Sequence, residues 1–399
     1  MKKRNQKQEK RLKKMILSTG LFAVLLVAST YAWFIGMQSV SVSAFDVKIK
    51  GIDGLALSLD GITFSENVNI NKDTHDIATY ATNQNVWGDL IPMSSVGVID
   101  NTKSKLQMYE KGSLTATPGG YRILASEVEN SADAEAAGYV AFDLFIKNLS
   151  GEEYYPTNLV ANEEAIYLTT DSKVEVAANG GVNNTGIENS VRVAFAQIAR
   201  VEATTTDESV IQGLNCSSEG DATVICNTRK AAIWEPNDTK HAANAINWYK
   251  KACKARTGVT VTDEKSYSGA CAEVKDTVAN TTYAISKAIE TNFNVDIYDG
   301  VDYNGYAGSA EYLTAMDYFT DTEKMYKGDQ RPQFMSLAPN SITKVKVYVY
   351  IEGQDVDNYD FAQLGNAISI NFGFTKERFT GTDVNYDPNG TAPLPTAVQ

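Results

Sequence analysis

An uncharged apolar segment near the N-terminus constrains the fold more than any other feature of this sequence. It covers residues 15–35 and follows eight lysine and arginine residues within the first fourteen positions. This length is what a helix needs to cross the hydrocarbon core of a bilayer, and the preceding cations favour a cytoplasmic location for that end. We therefore expect residues 1–36 to form a basic region and a signal or transmembrane helix, and the rest to lie outside the cytoplasm.

Two fates of this helix are open. Thr30 and Ala32 are small residues at the −3 and −1 positions of a cut after Ala32, which would make Trp33 the first residue of the mature chain. An uncleaved helix would instead anchor the protein, with the Trp33-Phe34 pair at the membrane surface. The small residues favour cleavage, so we expect contact with the membrane through this helix before processing.

The residues around the predicted cut also carry a resemblance. Thr30-Tyr31-Ala32-Trp33-Phe34 is followed, after a polar spacer, by Ser43-Ala44-Phe45-Asp46-Val47. This combination resembles the TasA/camelysin family of exported Gram-positive (Firmicutes) proteins, which a dedicated signal peptidase cuts at this place. The resemblance implies a jelly-roll-like antiparallel β-sandwich at the cell surface, and some family members assemble into biofilm-matrix fibres. It leaves the middle of this longer chain unexplained.

Alternation of apolar and polar residues predicts the strands of such a sandwich. The clearest segments are residues 139–148, 191–201, 344–351 and 368–374. Every second side chain of a strand lies on the same face, so one face of each segment is apolar. In the third segment the other face carries Lys344, Lys346, Tyr348 and Tyr350, which we expect on the outer side of the sheet. The polar stretch 65–100 is predicted to be a long loop.

The order of these segments predicts the domain organisation. We expect a β-sandwich ectodomain over residues 37–380, interrupted by an α-containing insertion at about 204–335, and a flexible tail over 381–399. Apolar residues at helical spacing predict helices at 242–253 and 272–289 within the insertion. Two β domains in series are the alternative, because strand-like segments occur on both sides of the insertion.

All four cysteines fall within the predicted insertion. They are Cys216, Cys226, Cys253 and Cys271. An even number of cysteines outside the cytoplasm favours disulfides. Pairing of neighbours, Cys216 with Cys226 and Cys253 with Cys271, closes two short loops and is our prediction. A zinc site is the alternative, but the chain has no Cys-x-x-Cys spacing and no histidine beside a cysteine.

Charge and motifs limit the function classes. Beyond residue 32 the net charge is −20, which argues against nucleic acid as a partner. The two histidines, His75 and His241, have no partners at metal-ligand spacing, and the sequence contains no nucleophile elbow, phosphate loop or dinucleotide fingerprint. We therefore expect a protein that is not an enzyme and needs no cofactor.

One acidic cluster is a candidate for Ca²⁺. Asp355, Asp357 and Asp360 place three carboxylates within six residues, and Ca²⁺ prefers oxygen ligands. The cluster lacks the glycine and the bidentate glutamate of an EF-hand loop. A solvated loop with an Asx turn is the competing interpretation, and the missing ligands favour it.

The sequence and the resemblance together predict an exported structural or adhesive surface protein. Val40 and Val42 lie on one face of an alternating segment, and the apolar positions change from even to odd at Phe45. That change reverses which face is buried. The resemblance implies that residues 33–43 act as a donor strand for another copy and build a homopolymer, and the pattern suits this role. The competing interpretation is that residues 33–43 are only a juxtamembrane spacer. The alternatives are a monomeric, membrane-anchored ectodomain that binds a ligand or glycan, and an extracellular hydrolase, for which no catalytic constellation is present.

Overall fold

The computed structural model describes the chain in separate ranges within one compact unit, Val40–Gln399. The described residues are 45–71, 90–117, 120–130, 135–156, 162–178, 187–238, 283–285, 295–296, 313–315, 317–326, 328–353 and 367–377. Several predictions fall outside them: the helix at 1–36, the cut between Ala32 and Trp33, the donor residues Val40 and Val42, the helix at 242–253, Cys253 and Cys271, the acidic cluster Asp355, Asp357 and Asp360, and the tail 381–399.

The fold is mainly β, as predicted. The strands are β1 (Phe45–Gly51), β2 (Leu55–Ser58), β3 (Asn67–Asn71), β4 (Pro92–Ser94), β5 (Ile99–Asp100), β6 (Lys105–Leu106), β7 (Tyr109–Thr117), β8 (Gly120–Glu127), β9 (Val140–Asn148), β10 (Glu164–Leu168), β11 (Lys173–Val176), β12 (Val191–Glu202), β13 (Thr223–Val224), β14 (Ala232–Glu235), β15 (Tyr283–Ile285), β16 (Val295–Asp296), β17 (Leu313–Ala315), β18 (Tyr318–Thr320), β19 (Met335–Leu337), β20 (Ser341–Glu352) and β21 (Ile368–Thr375). The described helices are short: α1 (Glu208–Gln212), α2 (Asp321–Lys324) and 3₁₀ turns at Ile187–Asn189 and Gly328–Gln330. Among the described residues, no helix combines the length and the apolar character that crossing a membrane requires.

The larger sheet is built around three long antiparallel strands. β20 pairs with β9 along one edge and with β12 along the other. The β12–β20 register runs from Val191 opposite Ile351 to Glu202 opposite Ser341, with one irregularity after Gln197. The two strands that border the predicted insertion are therefore hydrogen-bonded neighbours.

The smaller sheet has the strand order β19–β10–β21–β1–β3, with β11 also paired to β21. β1 is parallel to β21 and antiparallel to β3. The apolar face of the smaller sheet packs against the larger sheet in a β-sandwich-like core. The members of this core include Val47, Ile49, Phe142, Val193, Phe195, Val347, Ile370 and Phe372. The ring of Phe195 lies 5.3 Å from that of Phe372, which joins the two sheets at the centre of this core.

The opposite face of the larger sheet is also buried, and here one prediction is wrong. Tyr348 and Tyr350 were expected on the outer side, yet both are fully buried. A second apolar core covers them, built from residues around β4–β6 and from the segment that contains α1. The three long strands β9, β12 and β20 thus have an apolar core on each face.

Two further predictions need correction. The stretch 65–100 was predicted as loop, but it contains β3, β4 and β5. In β3 exposed asparagines alternate with Val68 and Ile70, so the polar composition concealed a strand. Of the helix predicted at 272–289 the structure describes only residues 283–285, and these form β15, which begins at Tyr283, a residue type that prefers strands.

The structure confirms one predicted disulfide. Cys216 and Cys226 are bonded, with their Cα atoms 5.9 Å apart. Both belong to the second core, and the backbone N–H of Cys216 donates to the hydroxyl of Ser104 at 2.8 Å. The disulfide therefore cross-links the segment that covers the outer face of the larger sheet.

Candidate functional site

The outer face of the larger sheet contains buried charges among its apolar side chains. We call Glu135, Asp143, Lys344 and Lys346 the lysine–carboxylate cluster. Asp143 lies in β9, the two lysines lie in β20, and Glu135 precedes β9. Residues two apart in a strand share a face, so the same alternation that buries Val345 in the first core turns both lysines toward the second.

Strand register brings the charges together. Lys346 is directly opposite Asp143, and Lys344 is two pairs further along, opposite Phe145. The Lys346 Nζ lies 3.1 Å from Asp143 Oδ1, and the Lys344 Nζ lies 3.1 Å from Asp143 Oδ2. The Asp143 side chain is fully buried and the two lysine side chains are 5% and 9% exposed. One carboxylate thus separates two ammonium groups in a nearly dry site.

Glu135 links Lys346 to two buried tyrosines. Its Oε1 lies 3.3 Å from the Lys346 Nζ and accepts a 2.9 Å hydrogen bond from the Tyr348 hydroxyl. Its Oε2 accepts a 2.7 Å bond from the Tyr139 hydroxyl. Tyr348 in turn accepts the backbone N–H of Leu106 at 3.0 Å. These bonds fix the position of the carboxylate beside Lys346.

The two lysines differ in their protonation chemistry. Burial lowers the pKa of the Lys344 amine below its ordinary value, although the Asp143 carboxylate opposes this shift. Burial alone would also lower the pKa of Lys346, but the carboxylates of Asp143 and Glu135 raise it above the ordinary value. Lys344 is therefore the amine that loses its proton more readily.

A cavity of about 380 Å³ opens beside the cluster. Lys103, Lys105, Lys344 and Lys346 line it, together with Asp143 and several hydroxyl side chains. The Lys344 Nζ also donates a 2.8 Å hydrogen bond to the backbone carbonyl of Gln212, next to the cavity. Three members of the lysine–carboxylate cluster, Asp143, Lys344 and Lys346, thus form part of the cavity wall.

Two other groups of buried charges in the described residues form closed ion pairs. Arg192 and Glu235 join β12 to β14 at 2.8 Å. Glu163 contacts both Arg200 and Arg229 and accepts a 2.7 Å hydrogen bond from the Ser336 hydroxyl. Such arrangements fix neighbouring segments, and neither pair lines the cavity described above.

Of the predicted site residues, the structure describes only Cys216 and Cys226. No group of residues suited to holding a metal ion occurs within the described ranges. Sequence reasoning missed the lysine–carboxylate cluster, because it assigned the face of Lys344 and Lys346 to solvent. One signal was present: Asp143 is an acid between Phe142 and Leu144, in the apolar part of β9.

No protein-family model, curated protein or solved structure matches this chain. The resemblance of the N-terminal residues to the TasA/camelysin family therefore remains an expectation from the sequence.

Proposed function

We propose that this chain is an exported cell-surface structural protein that forms fibres by donating its N-terminal segment to a neighbouring copy. The observation that supports this most is the position of β1. It is an internal strand of the smaller sheet, with β21 on one side and β3 on the other. The strand that begins at Phe45 thus pairs within its own subunit, and the predicted donor segment 33–43 precedes that strand.

The burial pattern of β1 supports the predicted change of face. Val47 and Ile49 are buried, whereas Lys48 and Lys50 are exposed. A strand continued straight back from β1 would turn Val40 to the exposed side, because its position is even. Residues 33–43 bury their valines only if they form a separate strand.

β3 is a suitable acceptor for such a strand. It is last in the strand order of the smaller sheet, and within the described residues it pairs along one edge, with β1. Val68 and Ile70 point toward the core, opposite Ile49 and Val47, but Val68 is only half-buried. A donor strand with two valines at alternate positions would complete this apolar stripe by adding to the edge of β3 that faces away from β1.

Assembly of the processed protein tests this proposal. Deletion of residues 33–43 should leave a folded monomer, and Val68→Lys should also prevent fibre formation because it places a charge at the docking stripe. Asn69→Lys is the matched control: Asn69 is exposed in the same strand, so this variant should assemble like the wild type. Sedimentation and electron microscopy after removal of residues 1–32 measure the outcome.

Circular dichroism establishes that each variant is folded before its assembly is compared. A processed wild type that stays monomeric at every concentration would refute the proposal, and a monomer that binds polysaccharide would favour the ligand-binding alternative. Equal assembly of the Val68→Lys and Asn69→Lys variants would exclude β3 as the acceptor.

A further inference from the structure

The lysine–carboxylate cluster holds an amine and a carboxyl group in contact on neighbouring buried strands. We propose that Lys344 and Asp143 react with each other to form an intramolecular amide cross-link between β20 and β9, without an added enzyme or cofactor. This inference concerns a modification site inside the subunit and does not depend on fibre formation.

The geometry favours the reaction. The Lys344 Nζ lies 3.1 Å from Asp143 Oδ2, and the two residues sit diagonally across the β9–β20 ladder, a distance that a long side chain spans. Both strands are hydrogen-bonded along nine residue pairs from Ser341↔Asn148 to Val349↔Val140. Holding two groups near attack distance on rigid elements removes most of the entropic cost of bringing them together.

Burial lowers the free-energy cost of forming the two reactive species, the neutral amine and the carboxylic acid. An ammonium and a carboxylate do not condense, whereas a neutral amine can attack a carboxylic acid. A dry site penalises separated charges, so transfer of a proton from Lys344 to Asp143 costs less here than in water. The lowered pKa of Lys344 agrees with this role, while Lys346, between two carboxylates, keeps its proton.

The two oxygens of Asp143 have different neighbours and therefore different roles. The Lys344 proton moves to Oδ2, and the nitrogen lone pair then forms a bond to Cγ. Negative charge develops on Oδ1, which lies 3.1 Å from the Lys346 ammonium. A second proton passes from the nitrogen to Oδ2, the Cγ–Oδ2 bond breaks, and water leaves while Oδ1 becomes the amide carbonyl. Two protons and one oxygen leave as water, so the step balances without a further reactant.

The position of the link has a mechanical consequence. Residues 143 and 344 bracket the whole of the predicted insertion at 204–335. A chain cut within that region would remain one covalent molecule after denaturation and reduction. The link would also prevent β9 and β20, the centre of the larger sheet, from separating under force.

Intact-protein mass spectrometry tests the proposal directly. The purified full chain, denatured and reduced, should have a mass lower than the sequence mass by one water molecule, corrected for the N-terminus found. Asp143→Ala should restore the full mass. Asp100→Ala is the matched control: Asp100 also pairs with a lysine, Lys103, at 3.6 Å but its side chain is 26% exposed, so the loss of water should persist.

Peptide sequencing then assigns the bond. We expect a branched peptide that joins Lys344 to Asp143, and Lys346→Met should lower its rate of formation about a hundredfold by removing the charge beside Oδ1. A wild type with the full sequence mass overturns the proposal whether or not any variant folds. Loss of water that persists in Asp143→Ala, as from a succinimide at an Asp-Gly pair, overturns it as well. A branch at Lys346 would overturn the choice of nucleophile.

Discussion

Replacement of Glu163 by glutamine should destabilise the protein far more than the same change at its neighbour. The Glu163 side chain is 6% exposed and contacts Arg200, whose side chain is 1% exposed. It also bonds to Arg229 and Ser336. Removing one partner of a buried ion pair costs about 3–5 kcal/mol because the other charge remains in a dry site. Glutamine keeps one acceptor oxygen, so we expect a loss of about 3 kcal/mol at neutral pH.

The difference between wild type and variant should depend on pH. Burial alone would raise the pKa of Glu163, but hydrogen bonds from Ser336, Arg229 and Arg200 lower it below its ordinary value. A carboxyl group whose pKa is lowered on folding contributes stability above its unfolded pKa of about 4.3, and that stability is lost as the pH falls through the folded pKa. The difference in the free energy of unfolding between wild type and Glu163→Gln should therefore be largest at neutral pH and should decrease in acid.

Urea unfolding followed by tryptophan fluorescence measures both effects. Glu164→Gln is the control, because Glu164 pairs with Lys376 at 3.1 Å while 31% exposed, and such a pair contributes less than about 1 kcal/mol. Equal losses for the two variants would refute the burial argument. A gap that widens in acid would refute the assigned direction of the pKa shift.

Two further predictions concern the covered face of the larger sheet. Tyr348→Phe removes a hydroxyl that bonds to Glu135 and to the backbone of Leu106, and should cost about 1–3 kcal/mol in urea unfolding. Tyr350→Phe should be neutral or stabilising, because its buried hydroxyl has no hydrogen-bond partner within the described residues; equal losses would contradict this contrast. Cys216→Ala should cost about 2–3 kcal/mol by opening the disulfide loop, and a loss that reduction of the wild type does not reproduce would assign the effect to packing.

The strands that the sequence predicts well are those with one apolar face. In β21, Ile368, Ile370, Phe372 and Phe374 are all buried, as the alternation indicates. This prediction needs only local information, because the period of two follows from the geometry of a strand. The same argument predicts β9 and β12, whose apolar residues meet in the first core.

The lysine–carboxylate cluster could not be predicted in this way. Lys344, Lys346, Tyr348 and Tyr350 have the composition of a solvent-facing side, and alternation alone does not distinguish a polar face in water from one that other segments cover. The carboxylates that pair with these two lysines, Glu135 and Asp143, lie about two hundred positions earlier in the chain. Only the β9–β20 register brings them together.

The long pairings also bear on how the chain is divided. β20 lies between β9 and β12, which precede the predicted insertion, while β20 itself follows it. In the smaller sheet, β1 near the start of the described chain pairs with β21 near its end. A division into two β domains in series would place the two strands of each pair in different domains. It would also separate Asp143 from Lys344, so that their ion pair could not form. The central strands and the buried cluster both combine residues from the two sides of the predicted insertion.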